Sequence, residues 1–223
     1  MTLYISKPEL FAAAARFVST EQTRPYLNGV AVQPCPNGGA FIIATNGHAM
    51  FVAIDDNATW EQEEPASAIW HVAKPKLPAS AFKAFALVLD GVTAQFQDQS
   101  LSPAHVIACR KDTSNTFPDW TRIIPETTAD TVPMDNLAFD AAYIADFAAV
   151  TKQLNTSRRT AFVARVSHET GPALISIGGR RDCFGVLMPM RIGASYEAGH
   201  ANGMVAKDWI VEQLRPAQAS AAE

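Results

Sequence analysis

The chain is poor in charge. Only 18% of its 223 residues are Asp, Glu, Lys or Arg, below the quarter common in globular domains. The formal net charge of −4 argues against coating nucleic acid by bulk electrostatics, but leaves room for a local basic face. Cysteine is scarce: Cys35, Cys109 and Cys183 are far apart, so neither a disulfide framework nor a CxxC zinc knuckle is expected. No apolar run approaches the roughly 20 residues that span a membrane. Leu10 to Val18 is apolar but follows Glu9, without a signal-peptide frame, and a cytoplasmic location is expected.

Chemistry-bearing patterns are also missing. His48, His71, His105, His168 and His200 form no HxH or HExxH pair, and no metal or cofactor is expected. Gly178-Gly179-Arg180-Arg181 lacks the lysine and hydroxyl of a nucleotide loop. It reads as a hairpin turn with a basic tip rather than a phosphate nest. No GxSxG setting occurs. The chain reads as a non-enzyme, although distant Ser, His and Asp residues could meet in space.

What remains is ordinary globular material, 48% hydrophobic, with a repeated order of elements. Thr2 to Ile5 reads as a strand and Lys7 to Val18 as a helix, capped by Ser6 with Pro8 in its first turn. Strands follow at Tyr26 to Gln33, Ala40 to Ala44 and Ala49 to Ile54, with a loop from Asn57 to Ser67. A second cycle has a strand at Trp70 to Ala73, a helix at Pro78 to Leu87, and strands at Val92 to Gln97 and His105 to Arg110. A third has Leu137 to Phe139, a helix at Ala141 to Leu154 capped by Asp140, and strands at Thr160 to Val166, Ala173 to Ile177 and Cys183 to Met188. In the tail, a helix is expected at Val205 to Leu214 and disorder from Ala217 to Glu223. Strand, helix, then strands, three times over, predicts an α+β fold with helices layered on antiparallel sheet. The successive strands leave no room for the crossovers of a doubly wound fold.

Four strings carry a resemblance: Arg24-Pro25-Tyr26-Leu27-Asn28-Gly29-Val30, Ala44-Thr45-Asn46-Gly47-His48, Phe117-Pro118-Asp119-Trp120-Thr121-Arg122-Ile123-Ile124-Pro125, and Val186-Leu187-Met188-Pro189-Met190-Arg191-Ile192. In this order and spacing they resemble the bacterial sliding clamp, the beta subunit of the replicative DNA polymerase. Residues 1–125 resemble its middle domain and 126–192 half of its last domain, while 193–223 is an extension beyond the family's usual end.

The resemblance implies a DNA-clamp-like fold and a role in DNA replication. Short peptides of polymerase or repair partners would dock in an inter-domain apolar groove, with a processivity role on double-stranded DNA. It assigns the groove to Leu27, Thr45, Gly47, His48, Pro125, Val186, Met188, Pro189, Met190 and Arg191, with the TNGH and MPMR segments on opposite walls. An apolar floor with a polar rim suits such an anchor, and methionine adapts to varied ligands. The plain alternative is that Met188 and Met190 are alternating strand residues and Gly47 serves only its turn.

Candidate DNA-facing cations are Lys7, Arg16, Arg24, Lys83, Lys152, Arg158 and Arg159, whose other reading is solubility and helix-end charge. Two departures stand out. Asn46 replaces the family's usual Asp, and Ala49 its usual Arg. A half domain also leaves an open sheet edge, so self-association through residues 130–192 is expected. The alternatives to docking are a structural or assembly protein that kept the fold alone, and an enzyme.

Overall fold

A computed structural model describes residues 2–61, 66–72, 77–125, 138–155, 161–166 and 171–190. The chain divides into two compact units, Met1–Pro189 and Met190–Glu223. The expected boundary at residue 125 falls inside the first, because one continuous ladder joins the segments on either side of it.

The first cycle contains β1 (Leu3–Ile5), helix α1 (Pro8–Ala14), and strands β2 (Val30–Pro34), β3 (Ala40–Thr45), β4 (Ala49–Asp55) and β5 (Thr59–Trp60). The second contains β6 (Ala68–Val72), β7 (Ala86–Leu89), β8 (Thr93–Gln97) and β9 (Pro103–Asp112). The third contains α2 (Ala141–Leu154), β10 (Phe162–Val166), β11 (Ala173–Ile177) and β12 (Cys183–Leu187). Among the described residues the strands pair antiparallel. The sheet order is β10-β11-β12-β4-β3-β2-β6-β9-β8-β7-β1-β5. The fold is the expected α+β arrangement of antiparallel sheet with helices on one face.

The first two cycles complete each other. The first strand of each pairs with the first strand of the other's meander, β1 with β7 and β6 with β2. Each also pairs with its own last strand, β1 with β5 and β6 with β9. Beta4 and β5 together therefore match the ten-residue β9. The short β5 lies within the stretch expected as a loop.

Three expectations fail locally. The strand expected from Tyr26 begins at Val30, because Pro25–Leu27 winds into a 3-10 turn, which the fixed φ of Pro25 favours. The helix expected over Pro78 to Leu87 shrinks to one turn, Ala81–Lys83, and its end becomes β7. The Ala-Leu-Val-Leu run fills the core more fully as a buried strand than as a helix, the tertiary setting overriding local propensity. Ser6 does not cap α1. It donates to Asp55 at the end of β4, through N at 2.6 Å and Oγ at 2.6 Å, and Lys7 N joins at 3.0 Å. A fully buried carboxylate from another strand thus takes the amides that open α1. Asp140 caps α2 as expected, accepting from Ala142 N at 2.7 Å.

Strand alternation splits the apolar side chains between two faces. The helix-side face holds Ala49, Phe51, Val30, Val32, Ile175, Cys183 and Leu187 beneath α1 and α2. Alpha1 is slim and enclosed: from Pro8 to Phe17 only Glu9 and Arg16 escape full burial. Phe147 of α2 reaches the sheet at Gly185, where its ring stands where a β-carbon would be. It also packs on Phe17, ring centroids 4.7 Å apart. The opposite face carries a second cluster, built from Leu27, Ala31, Ile43, Met50, Val52, Ile69 and Val186 and covered by Phe117.

Cys109 and Cys183 are buried and Cys35 half-buried, all as free thiols. Burial pushes the Cys109 and Cys183 thiols up to about 12, which makes them poor nucleophiles.

Candidate functional site

The TNGH segment is the turn between β3 and β4. Thr45 Oγ1 donates to Ala49 O at 2.9 Å and accepts from Gly47 N at 3.1 Å. Asn46 Oδ1 accepts from both His48 N and Ala49 N at 2.9 Å. The amide oxygen of Asn46 therefore closes the turn without a carboxylate. Gly47 takes φ +90°, and a β-carbon there would meet Arg24 Nη1 at 2.9 Å. The positive φ favours glycine here, and a side chain would also displace the tip of Arg24.

The turn meets β12 directly. Leu187 pairs with Ala49 and Val186 with Met50, and Met188 N donates to His48 O at 2.8 Å. The TNGH and MPMR segments were expected on opposite walls of a groove. The TNGH turn and Met188, the first residue of the second segment, are instead neighbours at the end of one ladder, because β12 adds directly to the edge of β4.

Alternation then sets which side chains line up. Phe184, Val186 and Met188 share the face of Met50 and Val52. Phe117 covers part of this face, and Trp120 packs against it. Trp120 meets Phe41 edge-on, centroids 5.5 Å apart, and donates through Nε1 to Gln33 Oε1 at 3.1 Å. Met188 is 37% exposed, while Leu27, Met50 and Val186 beneath the same face are 3%, 1% and 2% exposed. The exposed His48 ring stacks on Tyr143 of α2, centroids 5.8 Å apart. The site is thus an apolar face that opens at Met188, bounded by the TNGH turn and the His48–Tyr143 pair.

The structure brings together Leu27, Thr45, Gly47, His48, Val186 and Met188 of the expected set. Half-buried Pro189 follows Met188, and half-buried Pro125 ends the 117–125 segment. Met190 is 40% exposed and opens the second compact unit, and Arg191 lies outside the described residues. Sequence reasoning did not single out Met50, Tyr143 or Phe117 as site residues. Met50 was legible, being two places before Val52 on a strand whose partners face Leu27. Tyr143 was not, since only the packing of α2 brings it to the turn. Arg24, one of the candidate DNA-facing cations, lies against Gly47 and pairs with Glu21 at 2.7 Å.

The other cations are dispersed. Lys7 pairs with Asp56 at 2.7 Å and lies 3.7 Å from Asp182. Arg16 donates to Gln153 Oε1 at 3.1 Å, lies 3.9 Å from Asp146 and stands over the Phe82 ring. Lys83 and Lys152 are exposed, and Arg158 and Arg159 lie outside the described residues. Arg180, in the expected hairpin turn between β11 and β12, forms a clasp. It grips Asp182 at 2.8 and 2.7 Å and reaches Glu9 at 3.3 Å and Leu154 O at 3.4 Å. Its hydrogen bonds hold the Asp182 carboxyl below the usual range.

One constellation resembles catalytic machinery. His71 lies 3.2 Å from Asp112 and 3.1 Å from Asn28 O, and Ser114 Oγ is 2.7 Å from Asp112. The hydroxyl donates to the carboxylate and not to the imidazole, so no nucleophile–base pair is formed. Asn115 and Ser114 hold the Asp112 carboxyl far below its usual range, and the group braces the end of β9. Among the described residues no three His, Cys, Asp or Glu side chains could hold a metal, and no helix is long and apolar enough to cross a membrane.

No protein-family model matches the chain, and no curated protein matches it. Solved structures do. The sliding clamp of Thermotoga maritima, DNA polymerase III beta subunit, superposes with a TM-score of 0.58 at 16% identity. That of Pseudomonas aeruginosa gives 0.58 at 14%. The clamp of Bartonella birtlesii, solved bound to griselimycin, gives 0.52 at 18%. Each alignment covers 86% of this chain and 66% of the other. The chain therefore has the sliding-clamp fold over about two thirds of those chains' length.

Proposed function

We propose that this chain is a clamp-fold docking protein of DNA replication or repair, and that the face opening at Met188 receives a short peptide of a polymerase or repair partner. In this reading residues 1–125 correspond to the middle domain of a clamp and 126–192 to half of its last domain. The observation that carries the proposal is the joining of the TNGH turn to β12, which sets exposed Met188 next along the chain from Val186, one of the buried cluster that also holds Leu27 and Met50. An apolar peptide side chain would seat beside the flexible thioether of Met188. Turn backbone groups, the His48–Tyr143 pair and Arg24 would meet its polar flank. The rim lacks an arginine at Ala49, and Arg24 over Gly47 supplies a cation close to the same turn.

The second part of the reading concerns DNA. Lys7, Arg16 and Arg24 each already face a carboxylate, and α1 is enclosed. These features favour peptide docking over a processivity role, so DNA affinity is expected to be weak and steeply salt-dependent. The test is fluorescence anisotropy of a labelled peptide copied from the tail of a bacterial replicative polymerase, beside a labelled duplex. The proposal expects saturable peptide binding, competed by unlabelled peptide and weakened by His48→Ala. Failure of the peptide to bind would overturn it. Tight duplex binding at physiological salt would restore the processivity role.

A further inference from the structure

The face that opens at Met188 runs in two directions from β12. Towards β4, Phe117 and Trp120 pack on it. Away from β4 it crosses β11 to β10. Val186 pairs with Met50 on one side and with Leu174 on the other, and Leu174 pairs with Arg165. Directly opposed residues of an antiparallel sheet project to the same face. Met50, Val186, Leu174 and Arg165 therefore stand in one row, with Val52, Phe184, Ser176 and Val163 in the next. Burial falls along both rows. Met50, Val52 and Val186 are buried, Phe184 and Leu174 half-buried, and Ser176, Val163 and Arg165 exposed. Among the described residues neither Leu174 nor Val163 packs in either apolar cluster. The face is thus a ledge that shallows from β4 to β10 and ends at a cation.

The two ends of the ledge differ in charge. At the turn end, Tyr143 lies among carboxylates: burial first, then the charges of Asp140, Glu21 and Asp146, push its hydroxyl up. Arg16 and Arg24 already face Asp146 and Glu21 there. At the β10 end the balance is reversed. Among the described residues Arg165 has no carboxylate partner, whereas Arg16, Arg24, Arg110, Arg122 and Arg180 each have one. A guanidinium without an internal partner keeps its planar fork of donors free for a carboxylate. Neighbouring strands lie about 4.8 Å apart, and two residues along a strand span about 6.7 Å. Arg165 is two strands across and two residues along from Met188, so their α-carbons are about 12 Å apart. An extended peptide covers that distance in about three to four residues.

We propose that the ledge selects partner peptides by charge: an apolar side chain seats at Met188, and an acidic side chain about three to four residues away is gripped by Arg165. This rests on the peptide-docking reading and adds to it the partner's charge and its direction across the strands. The acidic end of the peptide points to β10, because the carboxylates at the turn end repel it and the arginines there are already engaged. Leu174 and Val163 supply apolar surface between the two contacts. Arg165 is exposed, so the pair contributes more to the choice of partner than to the strength of binding.

The test is fluorescence anisotropy of the full chain with the replicative-polymerase tail peptide in three synthetic forms. These carry Glu, Gln or Lys at the position that reaches Arg165, placed in turn on each side of the apolar anchor. On one of those sides wild type should bind the Glu form at least ~3-fold more tightly than the Gln form, and the Lys form least. Arg165→Glu should reverse that order, with an unchanged far-ultraviolet spectrum. The preference should shrink in about 0.5 M salt, and Met188→Asp should weaken the Gln form as well as the charged ones. Equal affinity of wild type for all three forms, with binding still sensitive to Met188→Asp, would overturn this inference and leave the docking reading standing. An Arg165→Glu variant that keeps the wild-type order would overturn it too, as would one that loses only duplex affinity, since the cation would then serve nucleic acid. Absence of binding by every form would overturn the docking reading and this inference together.

Discussion

Residues 3–112 and residues 138–189 contain the same succession of elements in different company. In the first region two cycles seal each other's open strands, and the core beneath β2 and β7 is closed. In the second, a single cycle is held, among the described residues, by β12 on β4, by α2 against Phe17 and Arg16, and by the Arg180 clasp. Within that cycle the core side chains of α2, β11 and β12 are buried, while those of β10 are half-buried. The docking face lies at the seam between the two regions, where β12 stops and the TNGH turn begins. That seam exists only because the lone cycle is anchored to β4.

The anchoring can be broken from the core outward. Phe147→Ala removes a fully buried ring that touches both Gly185 and Phe17. A loss of about 3–5 kcal/mol is expected, with amide exchange rising first in 138–189 and much less in 3–112. Asp182→Asn weakens the clasp, and about 1–3 kcal/mol should be lost in denaturant titrations. Its pH dependence has a definite sign. The folded carboxyl of Asp182 lies below its unfolded value. Its contribution is therefore complete above about pH 4 and lost as pH falls through the folded value. The gap between wild type and Asp182→Asn should close in acid and persist at neutral pH.

The seam itself responds more gently. Asn46→Ala removes the acceptor for two turn amides. Thermal unfolding should register a loss of about 1 kcal/mol, with peptide affinity falling as the turn loosens. Met188→Asp should cost about 1 kcal/mol or less, since the side chain is only partly covered. It would nonetheless place a charge on the apolar opening. The two variants therefore separate holding the seam from using it.

The sequence disclosed the repeat and the face more readily than the pairing. Strand–helix–strands order was legible from turn signals such as Asn37-Gly38-Gly39, and from caps such as Asp140. The second helix was misread because Pro78 and its apolar neighbours fit a helix start as well as a strand approach. Only the vacant place beside β1 decides for β7. Leu27, Thr45, Gly47, His48, Val186 and Met188 were legible through resemblance and strand alternation. Their adjacency in one ladder was not, since an antiparallel pairing between residues more than 130 apart leaves no local mark. The same limit hid the partners of Arg24, a candidate DNA-facing cation, and of Arg180, read as part of a basic hairpin tip, until the fold supplied Glu21, Gly47, Glu9 and Asp182.

The central claim is that the opening at Met188 is a peptide-docking face. Its most direct test is calorimetric titration of the full chain with a replicative-polymerase tail peptide, in wild type and Met188→Asp at matched folding stability. The account predicts saturable heat for wild type and at least a ~10-fold weaker association for the variant, about 1.4 kcal/mol or more. No heat from wild type, or equal affinity in both proteins, would contradict it.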